Sequence, residues 1–277
     1  MKKLVVGIPC HNESDFICEC LSSIRSNNLD DVTVEIYDNA STDDTVHKVE
    51  KFIERLPAQE RSSFALKTRA QKVSPVESFM STFQESESEY FVWVGAHDLL
   101  SDYFLDKCLR VIESNADVSM VSGKAFGFAG DFTNYKDLGV VYDFSDPNPL
   151  VRYLKSVQEL SNCTVLHSIF RRQHLKDFTI NYNCPSVDHI IISNLIWHGK
   201  LQYVNDVGYL RRYFDEANRQ KKLNDGRYVR EDNNTVFYQE YLKNFRNLSS
   251  KKFPEIIQNH LEKTVFDILV SRLGIPC

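Results

Sequence analysis

Glycine and proline are scarce in this 277-residue chain, at 10 and 8 residues. That excludes collagen-like repeats and Pro/Gly-rich disorder, and it leaves most of the length for regular structure. The cysteines (Cys10, Cys18, Cys20, Cys108, Cys163, Cys184 and Cys277) form an odd, scattered set with no Cys-x-x-Cys pair. Neither a disulfide framework nor a cysteine zinc site is indicated, and a reducing compartment fits best. No apolar run approaches the roughly 18 residues of a membrane span. The first such run, Leu4 to Ile8, is cut by Pro9 and the polar Cys10-His11-Asn12-Glu13, too early for a signal peptide. An excess of positive charge is also missing. The formal net charge is −5, which argues against bulk nucleic-acid binding, since that needs Lys and Arg concentrated on one face. A composition that is 42% hydrophobic is enough for a sizeable core.

What is present is an alternation of strand and helix periods. Leu4 to Ile8 is a β-branched run of the kind buried on both faces of a sheet, and Phe16 to Ile24 has helical spacing. Val32 to Tyr37 reads as a second strand. It ends in Asp38-Asn39-Ala40-Ser41-Thr42-Asp43, where Ser41 or Thr42 can cap a helix to about Leu56. Phe64 to Leu66 is a weaker third strand, Pro75 opens a helix to about Glu85, and Tyr90 to Val94 is a strongly apolar fourth strand. A helix from Asp102 to Glu113 leads to a strand at Val118 to Ser122, and Gly127 to Pro149 looks like loop. Helical spacing returns at Pro149 to Leu160 and Asp188 to Trp197, with strand character at Thr164 to Phe170 and Leu201 to Val207. A charged tail from Tyr213 precedes helices at Asn234 to Phe245 and Pro254 to Leu273. Such alternation predicts an α/β fold whose mixed, mainly parallel sheet is sandwiched by helices.

In an open parallel sheet ligands bind beyond the carboxyl ends of the strands, where loops and helix N-termini converge. That rule selects Pro9 to Glu13, Asp38 to Asp43 and Gly95-Ala96-His97-Asp98, each directly after an expected strand. His11, Asp38, His97 and Asp98 would then gather at one edge. A cluster of carboxylates and imidazole suits a diphosphate bound through Mg or Mn.

The order strand-PCHNE, strand-YDNASTDDT, strand-WVGAHDLLS resembles family 2 glycosyltransferases of the GT-A fold over roughly residues 1 to 215. The second motif is close to the Asp-Asp-Gly-Ser-Thr-Asp-x-Thr pattern of that family. The third departs from the family's acidic pair: Asp98 keeps a carboxylate, His97 replaces its neighbour and Gly95 stands at the earlier acidic position. The resemblance implies a GT-A domain at 1–215 with a helical C-terminal extension at 216–277. It also implies nucleotide-sugar contacts from Pro9, His11, Glu13, Asp38, Asn39, Arg69, His97 and Asp98, with His11 and Asp38 or Asn39 against the base. Asp98 with His97 would hold the divalent cation, and imidazole in that set favours Mn over Mg.

An inverting transfer also needs a base for the acceptor hydroxyl. Asp188, in Cys184-Pro185-Ser186-Val187-Asp188-His189, looks like the family's acidic base, with His189 one residue away. Arg211 or Arg212 would neutralise the diphosphate, as suits a permanent planar cation. His167 and Arg171 are acceptor or diphosphate candidates, with a solvated turn as the alternative. The cationic residues from Arg211 to Arg230 read as solvated surface or as a dock for anionic lipid. The expected activity is sugar transfer from a nucleotide-diphosphate donor, UDP-linked by family analogy, to a glycan or lipid-linked acceptor. Analogy also places it in bacterial surface-polysaccharide synthesis, in the cytoplasm or at the inner membrane face. An inert sugar-nucleotide-binding scaffold is the alternative. A nucleotidyltransferase would need a Gly-rich phosphate loop after the first strand and a dinucleotide oxidoreductase a Gly-x-Gly-x-x-Gly there, and Pro9 to Glu13 is neither.

Overall fold

The first strand already dictates a layered molecule. Leu4, Val6 and Ile8 point into one apolar core, while Val5 points into a second core on the opposite face. The computed structural model describes residues 3–130, 132–224 and 234–274. In chain order the elements are β1 (Leu4–Cys10), α1 (Ile17–Arg25), β2 (Val32–Asp38), α2 (Thr45–Glu54), α3 (Ala58–Arg61), β3 (Phe64–Thr68), α4 (Pro75–Gln84), β4 (Tyr90–Trp93) and β5 (Leu99–Leu100). There follow α5 (Phe104–Ser114), β6 (Val118–Phe128), β7 (Tyr135–Asp137), α6 (Pro149–Glu159), β8 (Ile169–Arg171), α7 (Val187–His198), β9 (Lys200–Arg212), α8 (Glu216–Asn224), α9 (Asn234–Ser249) and α10 (Glu255–Leu273).

The strands form one mixed sheet in the order β3-β2-β1-β4-β8-β6-β9-β5, with β7 paired to β6. β3, β2, β1 and β4 are mutually parallel, and β6 runs parallel to β9. The short β8 is antiparallel to both of its neighbours, so β4 and β6 share one direction. The carboxyl ends of β1, β2, β4, β6 and β9 therefore meet at one edge, as the sheet rule requires. α1 and α5 cover one face, and α4, α6 and α7 the other.

Helix α7 is buried from Ile190 to Trp197 without a polar stripe, because a helix apolar all round must be enclosed on every side. Its outer side is covered by α9, and α10 packs on α9 and α6, so that Tyr241, Phe245 and Leu269 share a core with Tyr153 and Trp197. Four local expectations are revised. The first half of the Thr164 to Phe170 strand is a 3₁₀ turn, Cys163–His167, because the Asn162 side chain accepts the Thr164 N–H at 2.9 Å and bends the chain. The last strand extends to Arg212, the segment after Gly127 contains the β6–β7 hairpin, and the charged tail contains α8.

Candidate active site

The loops after β1 and β2 are stitched together by short side chains. Ser41 Oγ accepts the Asn12 N–H at 2.9 Å, Asn12 Oδ1 accepts the Thr42 N–H at 2.8 Å, and Thr45 Oγ1 accepts the Glu13 N–H at 2.8 Å. Ser41 and Thr42 therefore brace the neighbouring loop, and the N-cap of α2 is Asp44. Asp38 is buried at the end of β2, where Oδ2 accepts the Ser41 N–H at 3.0 Å. Asn39 is clamped reciprocally to the Val73 backbone at 3.0 and 2.9 Å. Arg69 follows β3, and its guanidinium pairs with Glu85, the C-cap of α4, at 2.7 Å. His11 lies half-buried in the loop after β1.

Beside these loops is a cavity of about 230 Å³ whose wall includes Pro9, His97, Asp98, His167, Asp188 and Arg211. Residues from five separate stretches of sequence thus face one space. Asp98 is 4% exposed, and both carboxylate oxygens are engaged: Oδ2 accepts the Tyr209 hydroxyl at 2.6 Å and Oδ1 the Arg212 N–H at 2.8 Å. Gly95 makes this placement feasible, since a Cβ there would lie 2.5 Å from Asp98 Oδ2. The loop has exchanged the earlier acidic side chain for room in which Asp98 folds back.

His167 stacks on Tyr209, with ring centroids 4.2 Å apart and planes 7° apart, and its Nδ1 lies 2.8 Å from the Trp93 carbonyl oxygen. A carbonyl only accepts, so Nδ1 carries the proton and Nε2 is left as an acceptor. Burial lowers the His167 pKa below its usual value, and the positive charge of Arg211 adds to the effect. Asp188 is the second residue of α7, whose N-cap is Ser186. Cys163 lines the cavity too; burial first and then the Asp188 carboxylate raise its pKa, so it stays a thiol. His189 turns its ring toward Phe237 of α9, with centroids 6.3 Å apart, and is not in the cavity wall.

Three expectations are corrected by this geometry. Glu13 is fully buried, held between the Lys222 ammonium, 2.9 Å from each carboxylate oxygen, and His97 Nδ1 at 3.1 Å; it lies behind the cavity wall and is not part of the lining. Arg212 is also buried, and its guanidinium is bound to the His97 and Gly130 carbonyls and to Glu19, between the rings of Phe16 and Phe128. Arg171 sits opposite Tyr90 at the far end of the sheet and donates to the carbonyls of Val118, Ile112 and Asn115. Sequence reasoning missed Tyr209 and Lys222. The latter belongs to the stretch read as solvated surface, yet it is 4% exposed, with Phe214 and Phe16 against its ammonium.

Two groups have the chemistry to hold a cation facing a diphosphate. Glu13 accepts ammonium contacts on both oxygens and is therefore the acceptor toward His97, which makes Nδ1 the donor, and His97 Nε2 lies 3.8 Å from Asp98 Oδ1. Such a nitrogen–oxygen pair fits Mn, which is often bound by few protein ligands plus substrate oxygens. Among the described residues no cluster of three or more His, Cys, Asp or Glu could hold a metal alone.

The family model described as Glycosyl transferase family 2 matches residues 5–179, more than half of the chain. The chain belongs to glycosyl transferase family 2. This glycosyltransferase has the GT-A fold, as its likeness to solved structures shows. S. aureus TarS 1-349 in complex with UDP-GlcNAc superposes with a TM-score of 0.67 at 17% identity, over 97% of this chain and 73% of that one. The mannosyltransferase PcManGT from Pyrobaculum calidifontis, in complex with GDP-Man and Mn2+, gives 0.58 at 14% identity, over 99% of this chain and 76% of that one. A search of curated proteins gives no match to this family 2 enzyme. Among its described residues no helix is long and apolar enough to cross a membrane.

Proposed function

We propose that this glycosyltransferase moves one sugar, with inversion, from a nucleotide-diphosphate donor to a hydroxyl of a glycan or lipid-linked acceptor, with Asp188 as base. The observation that carries this reading is the shared cavity, in which Asp188 faces His97, Asp98, His167 and Arg211. Asp188 takes the acceptor hydroxyl proton as that oxygen bonds to the anomeric carbon and the bond to the diphosphate breaks. Arg211 offsets the charge that develops on the leaving group. The Nε2 of His167, held as an acceptor, orients a sugar hydroxyl. A divalent cation, when bound, supplies further positive charge to the diphosphate; His97 Nε2 and Asp98 Oδ1 would hold it. Asp38, Asn39, Arg69, His11 and Pro9 line the nucleotide side of the same edge.

Support for the donor class comes from the two similar structures, which hold UDP-GlcNAc and GDP-Man with Mn2+. Assembly of a bacterial surface polysaccharide at the inner membrane face is the setting the motif resemblance favours. The test is thermal stabilisation by UDP, GDP and other nucleoside diphosphates, with and without Mn. At a hundredfold its dissociation constant the right diphosphate adds about 2.7 kcal/mol. Asp188→Asn should keep that binding and lose at least about a hundredfold in turnover. Stabilisation by no diphosphate refutes the proposal, and binding without turnover in the native chain would leave a sugar-nucleotide-binding scaffold.

A further inference from the structure

The family pattern has a carboxylate where this chain has His97, and an imidazole brings a requirement that a carboxylate does not. It has two nitrogens, and the ring ligates only through the one that has no proton. Metal-bound histidines therefore usually donate their other N–H to a carboxylate or carbonyl, which fixes both tautomer and ring orientation. Here Glu13 meets His97 Nδ1 at 3.1 Å from inside the protein, while Nε2 turns toward Asp98 Oδ1 at 3.8 Å and the residue lines the cavity. The ring is further held against Phe214, with centroids 4.9 Å apart. Lys222 of α8 meets the same carboxylate from another side at 2.9 Å. Glu13 is thereby charge-balanced, and this is the condition under which a carboxylate can stay buried.

We infer that Glu13 is a positioning residue for the cation site: it accepts the His97 Nδ1–H and so presents Nε2 as a nitrogen ligand beside Asp98. The inference rests on the transfer reading above, because the diphosphate would supply the cation's other ligands. It assigns Glu13 a role through His97, with no contact to the nucleotide, and it makes a nitrogen ligand a feature of this chain.

The experiment uses the full chain with Mn and whichever of UDP or GDP stabilises it. Pulsed electron paramagnetic resonance detects ¹⁴N coupling when imidazole binds Mn, and calorimetry gives the Mn affinity of the nucleotide complex. Nitrogen coupling is expected in the native protein and should vanish in His97→Ala. Two double variants separate ring orientation from the ion pair, since both remove it: Glu13→Gln with Lys222→Met keeps an acceptor for Nδ1, and Glu13→Leu with Lys222→Met does not. The first should retain the coupling, and the second should bind Mn about 10- to 100-fold more weakly. Equal Mn affinity in the two, or a native complex that binds Mn and nucleotide without nitrogen coupling, overturns the inference and leaves the transferase reading intact. Should either double variant fail to fold, Glu13→Asp retains the charge for Lys222 while withdrawing from His97, and unchanged Mn affinity there overturns it equally. Failure to bind any diphosphate removes the transferase reading itself.

Discussion

Replacing Tyr209 with Phe isolates the clamp on Asp98. The hydroxyl donates to Asp98 Oδ2 at 2.6 Å and accepts the Gly95 N–H at 3.1 Å, and Tyr209 is 1% exposed. Phe keeps the ring and its stack on His167, so no void forms. A buried carboxylate oxygen that loses its donor costs about 1.5–3 kcal/mol. The Gly95 N–H borders the cavity and can recruit water, so its loss adds about 1 kcal/mol. The sum is about 3 kcal/mol, equivalent in a chain of this size to a Tm lower by about 6–9 °C. Urea unfolding followed by circular dichroism measures the first quantity and a thermal scan the second. Stabilisation by nucleoside diphosphate with Mn should also shrink, because Asp98 loses its fixed orientation. A Tyr209→Phe protein within about 0.5 kcal/mol of the native one, with an unchanged nucleotide response, refutes the clamp.

Arg171→Ala should cost about 2–4 kcal/mol in urea unfolding, because the carbonyls of Val118, Ile112 and Asn115 lose their donor. Nucleotide binding should be unaffected; an intact fold with lost binding would return Arg171 to the site. Gly95→Ala places a Cβ 2.5 Å from Asp98 Oδ2 and should cost about 1–3 kcal/mol of overpacking strain, a cost that vanishes if Asp98 can rotate away freely. The stacked rings of His174 and His198 lie 4.9 Å apart, and burial, with nearby cations, lowers each pKa from 6.5 to about 4. The unfolded chain therefore takes up these protons first, so stability is whole above pH 6.5 and falls as the pH drops from 6.5 toward 4. His174→Gln with His198→Gln should flatten the urea-midpoint profile in that window, and an unchanged slope would refute the assignment.

The sheet was legible where buried apolar residues were dense along the strand, as in β1, β2 and β4. β8 was not, since three residues show no period, and their reversed direction is set by β4 and β6 on either side. α8 has no apolar stripe, so nothing local marked it as a helix or Lys222 as buried; the rings that enclose Lys222 come from Phe16 and Phe214. Arg211 and Arg212 look interchangeable by composition, yet on a strand consecutive side chains point to opposite faces. That alternation alone indicates that one reaches the cavity and the other the interior. The Asp98 loop was legible as a site because it ends a strand, but the folding back of its carboxylate depends on Tyr209, more than a hundred residues away.

The loop that ends in Asp98 is held from β9, which lies between β6 and β5. During synthesis at about 5–20 residues per second, that loop waits roughly 5 to 25 seconds for the strand that fastens it. A nascent chain halted near residue 180, about where the family match ends, has the loops after β1, β2 and β4 but neither Asp188 nor the tyrosine that sets Asp98. The Asp98 carboxylate thus gains both of its β9 partners, the Tyr209 hydroxyl and the Arg212 N–H, only once the chain has grown past residue 212.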